Sequence, residues 1–345
     1  MKKLGVAIIG MGKFGEFLLD AYKKLKHAEV IALCDKKPLQ GYKRYKIYRD
    51  YNKLLKNKNI DLVVIATPPY LHAKMACQAG KAGKHVLVEK PIALTLREAK
   101  QVETACKNVK FKIDYILREN QIIKNIKQII DSNLLGKIQS INFQNYASDS
   151  HLHNKHWFWD KKQSGGIWIE HGVHFFDLFS YLTNKKISQA NSLSIKHQGI
   201  EDQVSTIAKY DFPATFLHSF TKPYQIEETS WTISFSKGSI HVKGWIPLHA
   251  EIQAIITKQE YAKLKKILPV KKQSLKNVKK RDKEIKSNIL AKGHINLSNK
   301  EKVYKASSKR VMQNLVNNIL GKETLDFGFK EAYSSLQQAL MAEYS

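Results

Sequence analysis

With 345 residues, 43% of them apolar, the chain can hold two domains around sizeable cores; no stretch approaches the ~20 successive apolar residues that a membrane span needs. Three cysteines, Cys34, Cys77 and Cys106, lack CxxC or metal-like spacing, which argues against a disulfide framework and for a reduced, cytoplasmic setting. The formal charge of +28 is carried mostly by lysine, whereas phosphate and base readers favour arginine, so a solvated surface outweighs a nucleic-acid interface.

The apolar run at 3–9 follows a lysine and could pass for part of a signal peptide. It lacks a small-residue cleavage site and enters a glycine turn directly, so it reads as a first strand. After Gly10-Met11-Gly12-Lys13-Phe14-Gly15, helical spacing over 14–26 places Phe14, Phe17, Leu18, Ala21, Tyr22 and Leu25 on one side. Val30 to Leu33 is a second strand, followed by Asp35. Asp61 to Ala66 is another, closed by Thr67-Pro68-Pro69. A helix over 71–82 stops near Gly83, and a strand over 85–88 leads into Glu89-Lys90-Pro91. Thr95 with Glu98 marks a capping box for a helix over 95–107, and Lys110 to Tyr115 is a further strand. This alternation predicts a doubly wound parallel sheet.

The pattern then changes. Ile122, Ile123, Ile126, Ile129 and Ile130 make one amphipathic helix that stops near Gly136. Strands dominate afterwards, at 138–146, 204–212, 214–221, 230–236 and 239–245, with one helix at about 166–182 among them. The alternation in Trp231-Thr232-Ile233-Ser234-Phe235-Ser236 predicts a half-exposed face. The fold class is therefore α/β: a Rossmann domain over 1–118 and, over 119–345, an α/β domain with a large open, mostly antiparallel sheet. The strongly basic stretch at about 258–310 reads as a solvated insertion or partly disordered loop, and helices follow at about 307–320 and 329–343.

Three segments could carry chemistry. Lys90 ends an apolar strand, at the sheet edge where open α/β folds bind ligands, and the adjacent proline stiffens its backbone. The glycine run at 10–15 lies between a strand and a helix, the context of a dinucleotide turn. Its first glycine permits the tight turn, its second lets a pyrophosphate approach, and its third lets helix pack on strand. Asp35 can accept from a ribose hydroxyl, favouring NAD, although Lys36 and Lys37 beside it would suit the extra phosphate of NADP. In Ser164-Gly165-Gly166-Ile167-Trp168-Ile169-Glu170-His171-Gly172-Val173-His174-Phe175-Phe176-Asp177, Glu170 and His174 are four apart and share a helical face. An acid and a histidine so placed can transfer a proton; a plain polar stripe is the equal alternative. His151, His153, His156, Glu170, His171 and His174 cluster in sequence but match no metal-site spacing, so no metal is expected. Trp157, Phe158 and Trp159 could wall a pocket or simply fill a core.

Taken together, the glycine run, Ala66-Thr67-Pro68-Pro69 with His72, Ala82-Gly83-Lys84-His85-Val86, Glu89-Lys90-Pro91 and the segment from Gly165 to His174 resemble the glucose–fructose oxidoreductase, inositol dehydrogenase and MocA-type (Gfo/Idh/MocA) family. These motifs cover most of residues 1–180; beyond them the likeness is architectural. The resemblance implies a nicotinamide cofactor, NAD with NADP as the alternative, and a sugar, cyclitol or related polyol substrate. It implies catalytic roles for Lys90, His174 and Glu170, and often a cis Lys90–Pro91 bond. Gly10, Met11, Gly12, Lys13, Phe14, Gly15, Asp35, Thr67, Pro68, His72, Glu89 and Lys90 would contact the cofactor. Arg118, Trp157, Trp159 and His171 would contact substrate. A homodimer or homotetramer would form through the C-terminal sheet. The chain departs from the pattern where the family usually has aspartate at the Glu170 position, and where 35–48 is too short for the usual helix. Relatives that keep NAD bound and perform no net redox chemistry, such as glycoside hydrolysis, define the alternative activity. A basic binding module centred on 258–310 is a weaker one.

Overall fold

The structure is a computed structural model that describes residues 3–150, 152–276, 278–280, 283–284 and 288–345. Strands and helices alternate at first: β1 (Leu4–Ile9), α1 (Lys13–Ala21), β2 (Ala28–Cys34), β3 (Lys46–Tyr48), α2 (Tyr51–Leu55), β4 (Leu62–Ile65), α3 (His72–Lys81), β5 (His85–Val88), α4 (Leu96–Cys106), β6 (Phe111–Ile113) and α5 (Gln121–Asp131). Then come β7 (Ile138–Tyr146), α6 (Lys161–Ser164), a π-helical turn (Trp168–Gly172) and α7 (Val173–Thr183). The rest is β8 (Gln189–His197), β9 (Ile200–Lys209), β10 (Pro213–Ser219), β11 (Glu228–Phe235), β12 (Gly238–Lys243), β13 (His249–Ile256), α8 (Lys258–Ile267), β14 (Val270–Ser274), β15 (Lys279–Lys280), β16 (Lys283–Glu284), β17 (Ile289–Asn296), α9 (Lys300–Ile319) and α10 (Phe329–Glu343). The chain forms two compact units, one of residues 1–119, 155–177 and 304–343, the other of 120–154, 178–303 and 344–345.

The first unit is built on a six-stranded sheet in the order β3-β2-β1-β4-β5-β6, with every described pair parallel. Its central strands are short apolar runs buried on both faces, as in β4 (Leu62–Ile65), where all four side chains are buried. Each strand therefore leaves the core at its carboxyl end, and polar residues can begin only there. The strand order reverses between β1 and β4, the switch point at which such sheets bind ligands. Helix α4 starts as the sequence predicts: Thr95 Oγ1 accepts from the Glu98 amide while Glu98 reaches back to the Thr95 amide. Between Asp35 and Lys46 there is no helix, in line with the shortness of that stretch.

The second unit holds a nine-stranded sheet, β14-β17-β13-β12-β11-β7-β10-β9-β8, antiparallel except where β10 runs parallel to β7. In β11, Trp231, Ile233 and Phe235 are buried, whereas Thr232 and Ser234 on the other face are only half-buried. The expected strands at 138–146, 204–212, 214–221, 230–236 and 239–245 correspond to β7 and β9–β12. The basic stretch is a correction. Among its described residues, 258–310 supplies helix α8, strands β14 and β17 and the first half of α9. Val270, Ile289 and Ala291 give those strands a buried side that lysines on the other face conceal in the composition. No helix among the described residues is long and apolar enough to cross a membrane. Burial pushes the Cys34 and Cys106 thiols up to about 12, as suits core residues, while Cys77 is half-buried.

Candidate active site

The carboxyl edge of the six-stranded sheet collects most of the residues that the sequence singles out. After β1, Gly10 has φ +96°, and a Cβ there would stand 2.4 Å from the Ala66 carbonyl oxygen, so the turn presses against the end of β4. A Cβ on Gly15 would meet the Gly10 carbonyl oxygen at 2.0 Å, which explains the third glycine as helix-on-strand packing. At Gly12 an added Cβ would meet nothing within 4 Å: the backbone there faces open space. No side chain caps the start of α1. A cradle with free space at its central glycine and an uncapped helix start fits the pyrophosphate of a dinucleotide. Asp35 stands beside it, Oδ2 accepting from the Met11 amide at 2.8 Å and Oδ1 from the Lys37 amide at 2.8 Å. Its carboxylate thus ties the end of β2 to the glycine turn. Lys13 and Phe14 open α1, and Phe14 stacks on Phe17 and lies tilted against Tyr304.

The edge is continuous from there to Lys90. His72, 1% exposed, has Nε2 2.6 Å from the Thr67 carbonyl oxygen and Nδ1 2.6 Å from that of Pro91. It stitches the turn after β4 to the turn after β5. The sequence reading gives His72 a direct contact with the cofactor, but the structure buries the ring and commits both nitrogens to backbone, so it supports the cradle from beneath. Burial lowers its pKa, although both carbonyls favour the charged form. Thr67 and Pro68 remain at the rim, half-buried. The Lys90–Pro91 peptide bond is cis, as the resemblance implies.

Lys90 Nζ donates to the Glu170 carbonyl oxygen and to Glu170 Oε1, each at 2.7 Å. The pairing depends on an irregular helix. Trp168–Gly172 forms a π turn, and widening a helix takes carbonyls off the regular ladder, leaving them open to another donor. Lys90 takes that of Glu170. Burial pushes the Glu170 carboxyl up, but Lys90, aided by His171, outweighs it and holds the group below its ordinary range. The ammonium has three protons, and these two bonds use two of them.

The sequence reading puts Glu170 and His174 on one face of a regular helix; in the structure the turn that carries Glu170 is π-helical, and His171 Nδ1 lies 3.9 Å from Glu170 Oε2. His171 is held neutral, its pKa pushed down to about 4 by burial and by Lys90, against the pull of Glu170. His174 is 5% exposed with its ring 6.3 Å from that of His171. Lys90, Glu170, His171 and His174 thus gather in one unit, as proton chemistry at the sheet edge needs.

Arg118 is engaged elsewhere. Its guanidinium grips Asp177 with Nε–Oδ2 at 2.8 Å and Nη2–Oδ1 at 2.7 Å, both side chains nearly buried, and lies over the Phe327 ring. That geometry makes Arg118 an anchor for the start of α7, where the sequence reading has it touching substrate. Trp157 and Trp159 are half-buried around the buried Phe158, with Trp159 edge-on to Phe158 at 4.8 Å. His151 lies outside the described residues. The sequence reading missed Asp114, buried at the end of β6 next to Glu89; the available signal was a lone acid closing an apolar strand, the same signal that picked out Lys90.

Comparison with known proteins agrees with this geometry. Residues 4–114 match an oxidoreductase family described as an NAD-binding Rossmann fold, and residues 123–241 match the GFO/IDH/MocA C-terminal domain. The scyllo-inositol 2-dehydrogenase (NAD(+)) of Bacillus subtilis is 26% identical over 256 residues, covering 68% of this chain and 72% of the relative. The 2,7-anhydro-N-acetylneuraminate hydratase of Mediterraneibacter gnavus is 25% identical over 206 residues, covering 58% and 55%. For most such curated relatives the chain spans about half of their length. Among solved structures, the WlbA dehydrogenase of Bordetella pertussis, in complex with NADH and UDP-GlcNAcA, superposes with a TM-score of 0.80 at 18% identity, over 99% of this chain and 94% of that one. The chain belongs to the Gfo/Idh/MocA oxidoreductase family, with an NAD-binding Rossmann fold at its N-terminal end.

Proposed function

We propose that the protein is an NAD-dependent dehydrogenase acting on a secondary hydroxyl of a sugar, cyclitol or related polyol. The observation that carries the reading is Lys90, held by Glu170 at the sheet edge, one stitched turn away from the glycine cradle. A bound nicotinamide supplies the two-electron acceptor. The Gly10–Gly15 turn and the start of α1 hold the pyrophosphate, with Asp35 beside the ribose and Thr67, Pro68 and Glu89 along the rim. Lys90 offers its remaining N–H to the reacting oxygen and stabilises the negative charge that develops there. His174 takes the hydroxyl proton on its imidazole, and Glu170 keeps Lys90 aimed. His171, neutral and half-buried, and the half-buried Trp157 and Trp159 line the substrate side. The open face of the nine-stranded sheet, with Leu193 and Ile207 exposed, suits contact with a second copy, and unpaired cysteines suit the cytoplasm.

The purified protein is assayed with NAD and NADP against a panel of polyols, reading reduced nicotinamide by absorbance. Lys90→Ala and His174→Ala are each expected to lower turnover about 100- to 10,000-fold while cofactor still binds. Wild-type rates in both variants would sink the assignment. The hydratase relative favours a second reading, in which the cofactor is restored within each cycle; product formed without net NADH would select it.

A further inference from the structure

Behind Lys90 lies a buried acid, Asp114, that the proposed reaction does not use. Val88 and Ile113 are the last paired residues of β5 and β6. Glu89 and Asp114 follow them in register, so their side chains leave on the same face of the sheet. Asp114 is 1% exposed, and none of the described donors reaches either of its oxygens or Glu89 Oε1, which is buried too. The two carboxyls lie within hydrogen-bonding reach of each other, and Glu89 also accepts from the backbone amide of Lys90. Two ionised carboxylates at this distance in a dry interior repel; one proton between them turns the contact into a strong hydrogen bond.

The neighbours do not supply that proton. Tyr22, from the turn after α1, is buried with its hydroxyl unpartnered, and burial together with Asp114 and Glu89 keeps it firmly protonated. Tyr304 of α9 is likewise held neutral. Lys112, on β6, directs its ammonium to Asn314, and Lys90 directs its own to Glu170. We propose that Glu89 and Asp114 share one proton across the ends of β5 and β6, and that this acid–carboxylate hydrogen bond is the positioning element that fixes the backbone from which Lys90 projects. The positioning role rests on the reading of Lys90 given above; the shared proton does not. Burial pushes Asp114 up to about 6, against the pull of its hydrogen bond to Glu89 and of Lys112, and burial together with Asp114 pushes Glu89 well above its ordinary range. Because the folded-state values lie above the unfolded ones, the pair favours the folded state at low pH. That contribution is lost as pH rises from 3.8 through about 6 and on through the Glu89 titration.

Two measurements test this on the intact chain. Infrared spectroscopy at neutral pH should show the carbonyl band of a protonated carboxylic acid in the wild type. Glu89→Gln and Asp114→Asn should both lack it, since each amide supplies a permanent donor to the remaining carboxylate. No such band in the wild type, or its survival in both variants, overturns the shared proton. For the positioning role, kcat of the wild type should fall at the alkaline pH where the band disappears, while Asp114→Asn keeps a flat profile over that range. Asp114→Ala should lose about 10- to 100-fold in kcat with KM little changed, and Asp114→Asn should restore it. Full kcat in Asp114→Ala, or no rescue by asparagine, overturns the role. A wild type that oxidises no polyol overturns the dehydrogenase reading and the positioning role with it, and the infrared result still decides the proton.

Discussion

The two sheets of this protein solve opposite problems. The parallel sheet buries both faces, so its strands are nearly uninterrupted aliphatic runs and its polar side chains crowd the edge where strands end. The nine-stranded sheet buries one face, so polar and apolar residues alternate and no edge is singled out. Forced segregation concentrates reactive groups: Asp35, Lys90 and Asp114 all sit at or just beyond a strand's carboxyl end. The wider sheet spreads its polar groups as a surface and, among the described residues, gathers no comparable cluster of buried charge.

Substitutions can break or sharpen that contrast. The largest effect is expected at the anchored edge. Asp177→Ala leaves the Arg118 guanidinium buried without its bidentate partner, which should destabilise the fold by about 3–5 kcal/mol, read by urea denaturation. Next come two substitutions in one turn with different outcomes. Gly10→Ala meets both a positive φ and the Ala66 carbonyl, so it should cost about 1–3 kcal/mol of stability. Gly12→Ala clashes with nothing in the protein and should leave the denaturation midpoint alone while weakening nicotinamide binding, measured by calorimetry. Equal loss of stability in the two would remove the distinction between a structural and a ligand-facing glycine. The smallest effect belongs to the open face: Ile207→Ser should change the stability of the monomer by less than ~0.5 kcal/mol, because Ile207 is 64% exposed.

The same contrast explains what could be read from the chain. The central strands of the parallel sheet announce themselves as apolar runs between glycine and proline punctuation, and β5 spans the residues the spacing predicts, His85–Val88, whereas the edge strand β3, Lys46–Tyr48, carries no such run. β8, β13, β14 and β17 do not. In β8, Leu193 and Ile195 are exposed and only Ala190 and Ser192 are half-buried, so the strand is held by its ladder to β9 without a hydrophobic signal. β14, Val270–Ser274, has one buried residue. At the site, Lys90 and the glycine turn were legible because each needs a particular residue in a local context. The approach of His171 to Glu170 was not, because the helical spacing rule assumes a regular helix. Asp114 meets Glu89 only through strand pairing, 25 residues away along the chain, and no local pattern encodes that.

The π turn at Trp168–Gly172 has a consequence for length rather than chemistry. A turn that takes in one extra residue delays the helix by about 100° for everything beyond it. His174 and Asp177 therefore owe their directions to how many residues precede them in that turn. Closing the helix regularly with every residue of the turn kept would swing Asp177 off Arg118 and withdraw the Glu170 carbonyl from Lys90, with every side chain named in the chemistry still present. The five residues from Trp168 to Gly172 act as a phase offset for the helix that follows.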